Sequence, residues 1–255
     1  MRYLIKFSYD GSNYSGFQKQ KGLNTIQEKM EEALTKVNNG IRTNLVATGR
    51  TDKGVHALAQ YGHADIEVNI TEKKLKRAIN SNLPSDIHVI ETKQVSDDFH
   101  ARYDVKSKTY KYIINTLEYN PIERNYVFQY NYKLNVEKMK EAIKYFLGEH
   151  DFRAFMTDNK EKENCVRKIT KASITEDSGK LVITFTGNGF LRYQVRNMVG
   201  LLIKIGENKV EPETVPKIIE SRDRTKASKT APPEGLYLVE VRYKHWNTLL
   251  FLTFL

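Results

Sequence analysis

The sequence predicts an α+β fold, and three observations carry that prediction. Segments of period-two alternation mark half-buried strands, and segments of helical periodicity with one apolar face mark helices packed on a sheet. The order β-α-β-loop-β-α-β fills the first hundred residues, and a similar plan, without sequence repetition, fills the rest. A chain of 255 residues can bury a substantial core as one large domain or two ordinary ones. The boundary is expected between Asp97 and Asp104, where DDFHARYD breaks the alternation. This gives halves of 1–100 and 104–247 and an apolar tail of 248–255. Because no low-complexity linker separates the halves, a mixed or antiparallel sheet is expected to run between them, or the halves to dock tightly.

From Arg2 to Tyr9, Tyr3, Ile5, Phe7 and Tyr9 alternate with Leu4, Lys6 and Ser8, the period of a strand. The run opens into YDGSNYSGFQKQ, a loop holding Asp10, Tyr14, Phe17, Gln18 and Lys19, readable either as a glycine-rich turn or as a basic, aromatic lip. Asn24 and Gln27 have capping-box spacing ahead of a helix in which Ile26, Met30, Ala33, Leu34 and Val37 recur at helical intervals, with its end near Gly40. Strands are expected at Asn44–Ala47 and Gln60–Val68, with a glycine-bracketed loop between them. A helix is expected from Glu72, capped by Thr71, to Asn80, stopped by Pro84, and a strand over Ile87–Gln94.

In the second half, Ser107–Asn115 reads as a strand and Asn135–Leu147 as a helix with Val136, Met139, Ile143, Phe146 and Leu147 inward. Ile169–Thr175 and Leu181–Gly187 read as paired strands, Leu191–Ile205 and Pro212–Glu220 as helices, and Leu236–Tyr243 as a strand. In FLRYQVRNMVGLLIKI, Val195, Met198, Val199, Leu202 and Ile203 form one stripe, and at about 100° per residue Arg196 falls on its edge. An arginine there either snorkels to solvent or needs a carboxylate within reach.

Composition narrows the partners. A formal charge of +10 favours a polyanion, and the basic residues lie within folded segments, which suits a shaped nucleic-acid surface. Fifteen tyrosines and eleven phenylalanines supply core residues and possible stacking faces. A single cysteine, Cys165, excludes an intramolecular disulfide and a CxxC motif, and the six histidines form no HExxH, so no metal site is expected. The N-terminus shows no signal-peptide core and the tail from Leu249 is far shorter than the ~20 residues of a membrane span, so a cytoplasmic location without membrane association is expected.

The stretch Thr48–Ala57, TGRTDKGVHA, concentrates the chemistry. It holds Asp52 between Arg50 and Lys53, which is expected to lower the carboxyl pKa and keep it ionised. An aspartate in a glycine-rich loop can equally serve as a capping or Asx-turn residue. A phosphate-cradling Walker loop is excluded, because GxxxxGK[ST] is absent. The stretch closely resembles the signature of the tRNA pseudouridine synthase A (TruA) family. Further blocks resemble it in order: the DG, Tyr and GxQ of residues 9–18, FHAR at 99–102 with YKY at 110–112, the FLxxxVRNxVG pattern at 190–200, and GLYL at 235–238.

The resemblance implies the pseudouridine synthase fold, with two α+β halves flanking a basic central cleft. It also implies Asp52 as the catalytic residue, Arg196 as its paired arginine, Tyr110 as the ring stacking on the target base, and Leu236 as a lining residue opposite it. Packing alone also explains a strand tyrosine and a buried leucine at those positions. The activity implied is isomerisation of uridines 38–40 in the tRNA anticodon arm, by a homodimer acting on tRNA rather than DNA, without a cofactor. Asp52 would add to C1′ of the ribose or abstract a ribose proton, two routes left open here. The nucleotide would be flipped out, with Arg50 filling the vacated space or holding it. Lys19, Arg102, Arg222, Arg224, Lys226 and Lys229 are candidate RNA contacts; the run from Ser221 reads either as a solvated face or as a phosphate-contacting rim. A non-catalytic tRNA-binding or folding protein is the alternative, and a metal-dependent nuclease a weaker one.

Overall fold

The computed structural model describes residues 1–157 and 164–244; the apolar tail of 248–255 lies outside the described residues. In chain order the elements are β1 (Arg2–Tyr9), α1 (Ile26–Val37), β2 (Val46–Ala47), β3 (His56–Asp65), α2 (Glu72–Asn80), β4 (Ile87–Val95), β5 (Val105–Asn115), β6 (Phe128–Gln129), α3 (Val136–Ala142), β7 (Gly148–Asp151), β8 (Val166–Asp177), β9 (Lys180–Gly187), α4 (Gln194–Gly206), α5 (Thr214–Ser221) and β10 (Leu236–Tyr243). One mixed sheet runs β4-β1-β3-β10-β5-β9-β8-β7, with β2 added to β3 and β6 to β5. Neighbours are antiparallel except β10 with β3 and β6 with β5. Strands from either side of the run 97–104 therefore share one continuous sheet.

The parallel join of β3 and β10 sets the geometry of everything at one end of the sheet. Tyr237 pairs with His56 and Leu238 with Ala57, so the two strands start together and the loops that precede them lie side by side. On its other edge β10 runs antiparallel to β5, with Leu238 opposite Tyr110 and Leu236 opposite Tyr112. Because side chains alternate along a strand, these four residues share one face. All four are buried.

Several boundaries differ from the periodic reading, each for a local reason. The strand expected at Gln60–Val68 is β3, which starts four residues earlier and ends at Asp65. Asp65 pairs with Arg2, where β1 begins, Ile66 finds the chain's first residue, Met1, as its last backbone partner, and the amides of Glu67 and Val68 bond to the Asn38 side chain instead. The capping box at Asn24 does not form. Thr25 is the N-cap, the Asn24 side chain donates to the Asn13 carbonyl, and Gln27 accepts from the Lys19 amide. The helix expected over Asn135–Leu147 is α3 followed by a 3-10 turn at Ile143–Phe146, with Asn135 capping through the Lys138 amide. The helix expected from Leu191 begins at Gln194, because Tyr193 adopts a left-handed φ of 62°. The short strands β6 and β7 are too brief to show a period.

Helix α4 is the buried spine of the second run; Asn197, Met198, Val199 and Leu202 are fully enclosed. Asn197 donates to the Phe155 carbonyl at 2.7 Å and accepts from Arg224 and Thr230, so one buried amide ties three segments together. Gly200 lets the 229–231 loop lie directly on the helix: a Cβ there would sit 1.9 Å from the Lys229 carbonyl oxygen. Gly200→Ala is expected to destabilise the fold by about 1–3 kcal/mol through this clash. Urea unfolding checks it as a lower midpoint at unchanged slope, and an unchanged midpoint would mean that the loop yields freely.

Candidate active site

The loop 48–55 is held from several sides before it presents any side chain. The Phe17 amide donates to the Thr51 carbonyl at 3.1 Å, and the hydroxyls of Tyr9 and Thr51 bond at 2.8 Å. Lys108 donates to the Thr48 carbonyl at 2.7 Å and Gln60 to the Gly49 carbonyl at 3.0 Å. Gly54, at φ 77°, turns the chain against Pro233 of the neighbouring loop.

These constraints aim Asp52 at α4. Arg196 Nη1 donates to Asp52 Oδ2 at 3.3 Å, across 144 positions of sequence, while its Nε donates to the Ala231 carbonyl at 2.7 Å. The Ala231 amide in turn donates to the Arg196 carbonyl. The ion pair is substantially buried, with side-chain exposures of 11% and 17%. Tyr193 lies under both guanidinium groups of its neighbourhood, with Arg196 at 5.0 Å and Arg192 at 5.2 Å from the ring centre.

Burial raises the Asp52 carboxyl above the ordinary aspartate range, and the charge and hydrogen bond of Arg196, with a smaller contribution from Arg192, pull it back down in part. The expectation that Arg50 and Lys53 keep Asp52 ionised is thus corrected. Both flanking cations are exposed, and the charges that pull the carboxyl down are those of Arg196 and, less, Arg192. The partner that matters comes from a distant helix.

Tyr110 and Leu236 lie on adjacent strands of the same face, offset diagonally by one pair, since Tyr110 faces Leu238. The Tyr110 ring meets Phe190 edge-on at 5.2 Å. Its phenol is pushed upward by burial, then by Tyr9 and Asp52, and stays neutral. Burial likewise raises Tyr9, to about 12. A cavity of about 390 Å³ opens beside the ion pair, lined among others by Lys53, Arg124, Tyr193, Arg196 and Glu234. Glu234 is raised by burial, with Arg196 acting against the rise.

The candidate RNA contacts separate into two groups. Arg50, Arg102, Lys226 and Lys229 are exposed. Lys19 pairs with Glu31 at 3.5 Å and Arg222 with Asp151 at 3.5 Å. Arg224 has a different task from a rim contact: its guanidinium donates to Asn197, Thr230 and the carbonyls of Ala227 and Ser228, so it shapes the loop. Sequence reasoning missed Tyr193, Arg192, Arg124, Glu234 and the basal role of Lys108. The arginines on either side of Tyr193, one residue before it and three after, were the available signal for the stacked arrangement.

Among the described residues, no group of three or more His, Cys, Asp or Glu could hold a metal ion, and no helix is long and apolar enough to cross a membrane. A family model described as tRNA pseudouridine synthase matches residues 5–104 and 142–244. The chain is 46% identical over 246 residues to the tRNA pseudouridine synthase A of Streptococcus pneumoniae strain P1031, covering 95% of this chain and 99% of that protein. It is 45% identical, with the same coverage, to the protein of that name from strain Hungary19A-6.

The electrostatics predict a titration with a definite sign. The Asp52 carboxyl is expected to titrate above the unperturbed value of about 3.9, and Arg196→Met is expected to raise it further by removing the principal opposing charge. A folded value above the unfolded one means that this group favours the folded state most when protonated. That contribution declines as pH rises from the unfolded through the folded value. Carboxyl carbon NMR of both forms measures it, and a midpoint that stays or falls in Arg196→Met would refute the assigned role of Arg196.

Proposed function

Because the chain belongs to the tRNA pseudouridine synthase family, we propose that it converts uridine to pseudouridine in tRNA, with Asp52 as the catalytic carboxylate. The observation that supports this best is the enclosed pair of Asp52 and Arg196 beside the face carrying Tyr110 and Leu236. The reaction breaks the N1–C1′ bond, rotates the base, forms a C5–C1′ bond, loses the C5 proton and takes up a proton at N1, so it is an isomerisation with no net redox change. The chemistry needs an ionised carboxylate at C1′ or at a ribose proton, and a pocket that retains the detached base.

In this reading Arg196 keeps Asp52 charged against the desolvation that raises its pKa, and orients it through the fixed Ala231 contact. Tyr110 stacks on the flipped uracil and Leu236 closes the pocket beside it. Arg50, exposed at the loop's rim, fills the gap left in the RNA stem or holds the flipped nucleotide. In this reading Lys19, Arg102, Arg222, Lys226 and Lys229 meet phosphates, whereas Arg224 acts through the loop it holds. The targets are uridines 38–40 of the anticodon arm, and the working form is a cytoplasmic homodimer.

Wild type is expected to release tritium from tRNA carrying 5-labelled uridine, and Asp52→Asn to release none. Equal release by the variant would exclude Asp52 as the catalytic group. Tight tRNA binding without pseudouridine formation by wild type would identify a binding protein instead. Pseudouridine mapping of the treated tRNA reads the positions directly.

A further inference from the structure

Behind the loop 48–55 lies a cation with no counter-charge among the described residues. Lys108, on β5, is half-buried, and its ammonium is bound to the Thr48 carbonyl at 2.7 Å. It also lies against the backbone at Gly49, where a Cβ would meet Nζ at 2.7 Å. The charged groups that act on it are Arg102 and Arg167, both repelling it, and no carboxylate among the described residues offsets them. Burial and this repulsion bring the ammonium down to about 8. The nearby carboxylate of β10, Glu240, is opposite Thr109 and therefore belongs to the other face, where it accepts from that threonine and pairs with Arg242.

The cluster adjoins the base-stacking position. Lys108 and Tyr110 share a face of β5 and are two residues apart, about 7 Å along the strand. Arg167 lies over Gly189, where a Cβ would meet Nε at 3.6 Å, and the next residue, Phe190, is the one that touches the Tyr110 ring. Lys108 thus sits two residues from the tyrosine under the repulsion of Arg102 and Arg167, at a desolvation and repulsion cost that a bound anion would relieve.

The geometry points to Lys108, Arg102 and Arg167 as a binding site for an RNA phosphodiester, the one adjoining the nucleotide whose base lies on Tyr110. This rests on the reading that the substrate is an RNA with a flipped uridine. A phosphate is the anion that such a nucleotide carries into reach of all three groups. It would supply the missing counter-charge of Lys108, and it would couple substrate binding to the loop bearing Asp52, because the same ammonium holds the Thr48 carbonyl.

The test uses the full-length protein and a transcribed tRNA. Binding is measured as a function of salt for wild type, Arg102→Gln, Arg167→Gln and Lys108→Met. Each variant is expected to bind about tenfold more weakly, with a salt slope less negative by about one. Lysine carbon NMR is expected to show the Lys108 titration, near 8 in the free protein, moving upward when tRNA is saturating. Wild-type slopes in both Arg102→Gln and Arg167→Gln, or a Lys108 titration that tRNA leaves unmoved, would overturn the proposal even if Lys108→Met fails to fold. Tritium release by wild type is scored separately. Its absence with the expected binding results would remove the catalytic reading and leave the phosphate site standing.

Discussion

The parallel pairing of β3 with β10 is the constraint on which the rest depends. Only two residue pairs make it, Tyr237 with His56 and Leu238 with Ala57, yet it joins strands from opposite ends of the chain into one sheet. A parallel pair begins at one end, so the loop ending at Val55 and the loop ending at Gly235 emerge together. An antiparallel join would have sent them to opposite ends. The contact of Gly54 with Pro233 shows how closely they approach, and α4 is then locked to the second loop by the reciprocal bonds of Arg196 and Ala231.

Within that frame two effects compete at Asp52. Burial alone would favour a neutral acid, which could neither attack nor accept a proton. Contact with Arg196 opposes it, and the net result is a carboxyl raised above its ordinary range but held beside a cation. Such a group is a better base and nucleophile than an exposed aspartate while still able to ionise. The arrangement depends on Arg196 being oriented by a carbonyl and faced by the Tyr193 ring, rather than left to swing into solvent.

Charge alone does not decide which basic residues serve a ligand. Arg224 lies in the most basic run of the chain, yet its donors are spent on Asn197, Thr230 and two carbonyls, and it functions as a bracket for the loop beside α4. Lys108 looks from the sequence like an ordinary strand lysine. It turns out to be a half-buried cation repelled by other cations, with one hydrogen bond to the backbone of the loop that carries Asp52. The difference lies in the partners each side chain finds, which periodicity does not encode.

What the sequence determined by itself follows from local rules. Alternation located β1 and β5, helical spacing located α1 and the stripe of α4, a cap and a stopping proline located α2, and the position of Arg196 on the edge of that stripe left it either to snorkel to solvent or to find a carboxylate. The ordered motifs identified the family and the face of Tyr110. Boundaries set by partners were not legible: β3 stops where β1 begins, and α4 starts late because Tyr193 turns left-handed. Nor could adjacency in sequence reveal the electrostatics. Arg50 and Lys53 flank Asp52 but are exposed to water, which screens them, whereas Arg196 reaches it through a sheet join made by residues far apart in the chain. Coulombic coupling depends on distance and dielectric in space, and only the tertiary structure decides both.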